Sequence, residues 1–255
     1  MDKKAEFLKI WTERVQRDYT DALLAWLERE TDFFEAPASS KHHGAHPGGL
    51  LEHSLNVYHR LRAIVCLETY GEITSAPLEE GVEETVAILG LLHDVCKVGV
   101  YHTETRRRKN PATGFWEDYQ AYVFRDPLPL GHGEKSVYLI QRHMDLEPEE
   151  AMAIRWHMGA YDSAVKGGAR DMGVAMNMTP WVWRLQQADM CACSRRICAP
   201  PMWTSGRNRR NEKEPLQALR GGDRRPEGSG GPAVARPVRE DHLRQVRPPA
   251  LRPAL

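Results

Sequence analysis

The sequence has no run of eighteen apolar residues, so no helical membrane span is expected. Its start, Met1-Asp-Lys-Lys-Ala-Glu-Phe7, is charged and lacks an apolar stretch ahead of a small-residue cleavage site, so no secretory signal is read there. Cysteines are few: five, at 66, 96, 191, 193 and 198, an odd number with three crowded together. They do not read as a disulfide framework, which makes a reducing, cytoplasmic setting the expectation. Cys191, Cys193 and Cys198 also lack partners at zinc-finger spacing. The chain has no Walker A loop, no Gly-x-Gly-x-x-Gly and no Gly-x-Ser-x-Gly. P-loop nucleotidases, dinucleotide-binding Rossmann domains and α/β-hydrolases are disfavoured accordingly.

What is present is a 255-residue chain with 35 basic and 35 acidic side chains, a length that suits one domain or a domain with an extension. The zero net charge hides an asymmetry: 199–255 carries +6 and 1–198 carries −6. The tail also holds nine of the seventeen prolines, with Arg-Pro steps and glycine pairs, and has almost no apolar periodicity. It reads as disordered, because it cannot bury enough surface to offset its ordering entropy. A nucleic-acid-contacting arm and a coding frame lost near Ser194 are the other two accounts of that composition.

Residues 1–198 read as helices. Phe7, Ile10, Trp11, Val15, Tyr19, Leu23, Leu24 and Leu27 recur at helical spacing and predict one helix from Lys4 to about Glu30. A second starts after Pro47-Gly-Gly49, and a third covers Glu80 to about Val95, buried all round through Val86–Leu92. Later helices are expected over Gly133–Met144, Glu147–His157 and Pro180–Ile197. Between Tyr101 and Phe124, two alternating segments flank Asn110-Pro-Ala-Thr-Gly114, the pattern of a β-ribbon around a turn. The expected class is all-α, a helical bundle with a small inserted ribbon and a disordered tail.

The chain has eleven histidines, seven of them between positions 42 and 102. Within Leu91-Leu-His-Asp-Val-Cys-Lys97, the His93-Asp94 pair alone is weak, since with thirteen aspartates chance supplies roughly half such a pair. Its context strengthens it. Two metal-ligand residue types end an otherwise apolar helix, where an unpaired charge is costly and a cation would satisfy both. A capping aspartate beside a core histidine is the competing account of the dipeptide. His53, His132, His157 and Asp189 then follow the same rule, each on or beside a separate apolar helix, as when several helices converge on one polar centre.

With those six residues in order, the sequence resembles the HD-domain superfamily of metal-dependent phosphohydrolases, whose core signature is H…HD…D. The resemblance covers roughly residues 40–195 and implies three segments: an N-terminal helix over 1–39 packing on the bundle, the HD domain over 40–198, and the tail over 199–255. It puts His53, His93, Asp94 and Asp189 on the four core ligand positions. His132 and His157 match the two extra histidines of members that hold two metals, among them the HD-GYP phosphodiesterases and the myo-inositol oxygenase group. Pro47-Gly-Gly-Leu-Leu-Glu-His53-Ser, Leu130-Gly-His132-Gly and Trp156-His157-Met-Gly are similar to segments of the bacterial 3′–5′ exoribonuclease branch.

The resemblance implies two divalent transition-metal ions (Fe, Mn, Co, Ni or Zn) about 3.5–4 Å apart, bridged by Asp94 and by a hydroxide that attacks phosphorus. His53, His93, Asp94 and Asp189 would bind one ion, and Asp94, His132 and His157 the other. Asp94 and Lys97 are thus the expected catalytic residues; Lys97 stands where the family's HD-x-x-K phrase sets a cation against a substrate phosphate. His46 at the mouth and Arg125 are expected substrate contacts. His42, His43, Lys135, Arg155 and the Arg106–Lys109 run are weaker candidates, each as readily a solvated charge. The Gly-Tyr-Pro element is missing, with Gly159-Ala-Tyr161-Asp standing nearest, so cyclic dinucleotides are not expected. Only about forty residues precede the domain, which favours a small phosphorylated substrate or nucleotide over a nucleic-acid 3′ end. The alternatives are a di-iron site that activates O₂, as in a minority of the superfamily, and a non-catalytic metal-containing binding module.

Overall fold

A computed structural model of the chain describes residues 2–42 and 44–193. The helices among them are α1 (Lys3–Arg14), α2 (Thr20–Arg29), α3 (Gly49–Tyr70), α4 (Glu80–Leu92), α5 (His132–Gln141), α6 (Pro148–Trp156), α7 (Ser163–Lys166), α8 (Asp171–Met178) and α9 (Trp181–Cys193). Strands β1 (Tyr101–Lys109) and β2 (Trp116–Phe124) lie between α4 and α5. The protein is mostly α-helical with one inserted ribbon. By compactness the chain divides into Met1–Trp203 and Thr204–Leu255; the second unit, the expected tail, and His43 lie outside the described residues. Among the described residues no helix is long and apolar enough to cross a membrane.

The core forms around α3 and α4. Every residue from Val86 to Leu92 is buried, as a helix apolar on all sides requires. α3 packs against α4 on one side and α9 on another, and α6 packs against both α5 and α9. Two glycines set how closely these helices approach. A methyl group added at Gly90 of α4 would lie 2.5 Å from Tyr58 Cα of α3, and one at Gly133 of α5 would lie 2.2 Å from the Arg155 carbonyl oxygen of α6. Backbone therefore meets backbone where α4 crosses α3 and where α5 crosses α6.

The N-terminal segment differs from the single helix its periodicity predicts. α1 stops at Arg14 and α2 begins at Thr20, with Tyr19 in the left-handed region (φ 65°). Apolar spacing runs on because both helices bury the same stripe: Phe7, Trp11, Leu23 and Leu27 all enter the core. A long-range ionic contact occupies the break. Arg17 reaches Glu150 of α6 at 2.7 Å and Glu84 of α4 at 3.0 Å, and Thr85 donates to the same Glu150 at 3.1 Å. The short helices α7 and α8 also lie outside the expected set. Asp162 initiates α7 by accepting from Ala164 N at 2.8 Å, while α8 spans Asp171–Met178 without a clear apolar stripe.

A second buried ion pair fastens the α3–α4 connection. Arg62 donates to Glu83 at 2.7 Å and to the carbonyls of Thr74 and Ala76 at 3.1 and 2.7 Å, and Glu83 also accepts from Leu78 N at 3.1 Å. Burial resists ionisation of Glu83, but Arg62 and the Leu78 amide overcome it and hold the carboxyl below its ordinary 4.5. The depressed pKa means this stabilisation is fully present above about pH 4.5 and is lost as pH falls through the folded-state value. Glu83→Gln is expected to cost about 2 kcal/mol in urea melts at pH 7. The gap to wild type should narrow on acidification.

The ribbon is antiparallel, from Tyr101 opposite Phe124 at its base to Lys109 opposite Trp116 at its tip. Asn110 Oδ1 closes the turn by accepting from the Ala112 and Thr113 amides at 2.9 and 3.3 Å.

Candidate metal centre

Four helix ends and one helix interior deliver the polar side chains. His53 lies one turn into α3, whose start is pinned by backbone bonds from Gly48 N to Glu35 O and from Leu50 N to Ala36 O, at 2.8 and 2.9 Å. His93 and Asp94 follow the last residue of α4, and Val95–Lys97 then form a 3₁₀ turn. The turn is held by Cys96 N donating to Ser136 Oγ at 3.1 Å. His132 opens α5, His157 follows the end of α6, and Asp189 stands within α9.

The two carboxylate oxygens of Asp94 face two different groups. Oδ2 lies 3.1 Å from His53 Nε2, 3.5 Å from His93 Nε2 and 2.6 Å from Lys97 Nζ. On this side Asp189 Oδ1 is 3.1 Å from His53 Nε2 and 3.9 Å from His93 Nε2, and the two imidazole nitrogens are 3.2 Å apart. Oδ1 lies 2.8 Å from His132 Nε2 and 3.6 Å from His157 Nε2. All six histidines and aspartates singled out in the sequence are thus gathered into one cluster.

Two of the imidazoles are aimed by backbone. His93 Nδ1 is 3.1 Å from the Gly90 carbonyl oxygen, and His157 Nδ1 is 2.7 Å from that of Ile154. A carbonyl only accepts, so Nδ1 carries the proton in both rings and Nε2 presents a lone pair to the cluster. His157 Nε2 is buried and has no hydrogen-bond partner among the described residues. A buried, unpaired acceptor is costly in a purely structural cluster and is what a cation ligand requires. Three sets of donors lie close enough to hold an ion: His53, His93 and Asp189; His93, Asp94 and His157; and Asp94, Cys96 and His132. The residues present therefore fit divalent metal.

Electrostatics point the same way. Burial opposes the charge on Asp94, yet Lys97, His93 and the hydrogen bond from His132 hold its carboxyl well below the carboxylate range. Asp189 is likewise lowered, burial being outweighed by His53 and His93. Burial disfavours the charged forms of His53 and His132, but the carboxylates beside His53 raise it, and Cys96 and Asp94 push His132 up to about 10. His93, fully buried, is lowered, with desolvation outweighing Asp94. The two buried carboxylates thus favour the charged forms of His53 and His132, while burial keeps His93 neutral.

The remaining candidates fall elsewhere. Exposed His46 lies 3.6 Å from Glu52, and Arg125 pairs with Glu104 on the ribbon; neither partner belongs to the cluster. Lys135 is buried against Asp126 at 2.6 Å, and Arg155 lies over the Trp156 ring while bonding Asp162 at 2.9 Å. Arg106, Arg107 and Arg108 pair with Glu104, Asp118 and Glu117 along the ribbon. His42 is exposed in the loop before α3. Cys96 is the residue that sequence reasoning missed. The available signal was its place two residues after Asp94, in the same turn.

A family model described as HD domain matches residues 50–198, more than half of the chain. The chain belongs to the HD-domain family. No curated protein and no solved structure gives a match. HD domains are generally metal-dependent hydrolases, and the cluster of histidines and aspartates is compatible with an HD-type metal site. The HD match begins at Leu50, three residues before His53, and extends past the last described residue of α9. Within the HD domain the cluster is most open beside His132, whose side chain is 31% exposed, followed by Lys97 at 15% and Asp189 at 14%.

Proposed function

We propose that this HD protein is a metal-dependent phosphohydrolase acting on a phosphomonoester or phosphodiester of a small molecule or nucleotide, with a nucleic-acid 3′ end as the larger variant of the same chemistry. The observation that carries the reading is the two-sided placement of Asp94, with His53, His93 and Asp189 around Oδ2 and His132 and His157 around Oδ1. His53, His93, Asp94 and Asp189 would hold one ion, and Asp94, His132 and His157 a second. Bound divalent transition-metal ions would activate water as a nucleophile at neutral pH and offset charge on the phosphoryl oxygens.

The chain's own residues do the rest. Backbone carbonyls at Gly90 and Ile154 hold the His93 and His157 rings in one tautomer and orientation. Lys97 Nζ fixes Asp94 Oδ2 at 2.6 Å and, on the partly open side, supplies positive charge for a phosphoryl oxygen. In the net reaction an O–P bond forms from water, the ester P–O bond breaks, and one proton from water passes to the leaving alkoxide.

The test is metal removal and return. Protein purified without chelator is expected to hydrolyse p-nitrophenyl phosphate, bis-p-nitrophenyl phosphate or a panel of nucleotides. Chelation should lower the rate by about a hundredfold or more, and Mn²⁺, Co²⁺ or Fe²⁺ should restore it. Failure of every reloaded form to hydrolyse any phosphoester would overturn the proposal. Metal-dependent oxygen uptake in those preparations would identify oxidative chemistry in its place.

A further inference from the structure

Cys96 carries an inference that goes beyond the histidine and aspartate set and rests on the metal reading above. Its side chain is buried in the turn after α4, and its Sγ lies 3.6 Å from His132 Nε2 and 3.5 Å from His132 Nδ1. Donor atoms of Asp94, Cys96 and His132 all fall within 4.8 Å of one another. The independent observation is the buried, unpartnered His157 Nε2, 3.6 Å from the same Asp94 Oδ1 that contacts His132. A tetrahedral ion with a thiolate at about 2.3 Å and imidazoles at about 2.0–2.1 Å has S–N edges of about 3.5 Å and N–O edges of about 3.4 Å. The Cys96–His132 separation already stands near the S–N edge, while His157 belongs with His93 and Asp94 to a neighbouring set of donors.

We propose that Cys96 is a metal ligand, forming with Asp94 Oδ1 and His132 Nε2 a site for a thiophilic divalent ion of the zinc class, beside the unpartnered His157 Nε2. The His53, His93 and Asp189 side offers nitrogen and oxygen donors and suits a harder ion. The two ends of the centre therefore differ in softness, and Cys96 sets the difference. On binding, the S–H bond breaks, a sulfur–metal bond forms, and one proton passes to solvent per ion, with no change of oxidation state.

Cobalt(II) added to the metal-stripped full chain tests this without reference to activity. Wild type is expected to show thiolate-to-cobalt charge-transfer absorption in the near ultraviolet. Cys96→Ser and Cys96→Ala should lose that band while still binding cobalt and keeping their far-ultraviolet helical signal. In competition, the preference for Cd²⁺ over Mn²⁺ should fall at least about tenfold in Cys96→Ser. A variant carrying Cys66→Ala, Cys191→Ser, Cys193→Ser and Cys198→Ser leaves Cys96 as the last of the five thiols and should retain the band. That variant decides the matter if the Cys96 substitutions do not fold. Cobalt bound without the band, in wild type or in the four-cysteine variant, would overturn the proposal and leave the metal centre standing. A wild-type chain that takes up neither cobalt nor any other divalent ion would remove the metal centre itself.

Discussion

Asp94→Ala is expected to lose metal and activity together. One side chain serves both groups of imidazoles, Oδ2 facing His53 and His93 and Oδ1 facing His132 and His157, so its removal takes a donor from each. Metal stabilisation of a developing phosphoryl charge amounts to several kcal/mol, and each 1.36 kcal/mol is tenfold in rate. A loss of about a thousandfold or more in kcat/KM is the expected result, with metal per chain by elemental analysis falling towards zero. Substituting His132 should be milder for metal content, because His132 faces only Oδ1. The Asp94 variant also leaves the Lys97 ammonium without its 2.6 Å partner, so thermal melts belong beside the assays. Asp94→Asn, which keeps the shape, separates the two effects. A wild-type metal content in Asp94→Ala would contradict the bridging role.

The second large effect concerns packing. A methyl group at Gly90 would sit 2.5 Å from Tyr58 Cα and 2.8 Å from Tyr58 Cβ, and α4 and α3 could accept it only by moving apart. Gly90→Val is expected to destabilise the fold by at least about 3 kcal/mol, read as a fall in the urea midpoint at unchanged slope. His93 lies three residues after Gly90, and its Nε2 is 3.2 Å from His53 Nε2 on the opposing helix. Parting the helices should therefore weaken metal affinity as well, on the order of tenfold. Gly81→Ala on the same helix is the matched control. Nothing lies within 4 Å of the added methyl there, so it should be neutral or stabilising by up to about 1 kcal/mol.

The residues of the centre were legible because each is a polar exception in an apolar helical context, and because their order resembles a known family signature. The helix-rich class and the ribbon were legible from periodicity and from the turn at Asn110–Gly114. The break between α1 and α2 was not, since it serves Arg17, whose partners Glu84 and Glu150 lie far along the chain. Periodicity reports which face is buried and is silent on an interruption that keeps that face. α8 escaped for the opposite reason: its short sequence, Asp171-Met-Gly-Val-Ala-Met-Asn-Met178, offers no stripe to read. Cys96 escaped because its place two residues after Asp94 gains meaning only once α5 folds back to set His132 beside it.

The carbonyls of Gly90 and Ile154 have a kinetic consequence. They belong to the last turns of α4 and α6, and they engage the Nδ1 atoms of His93 and His157, on the opposite edge of each ring from the Nε2 that would meet an ion. The rings are thereby oriented before any cation arrives. Ion uptake in such a site is a loading step and not a folding step, unlike that of small zinc domains whose apo forms are unfolded. Stripping the metal should lower the melting temperature through mass action while leaving the helices in place, and reloading should proceed without the delay of refolding.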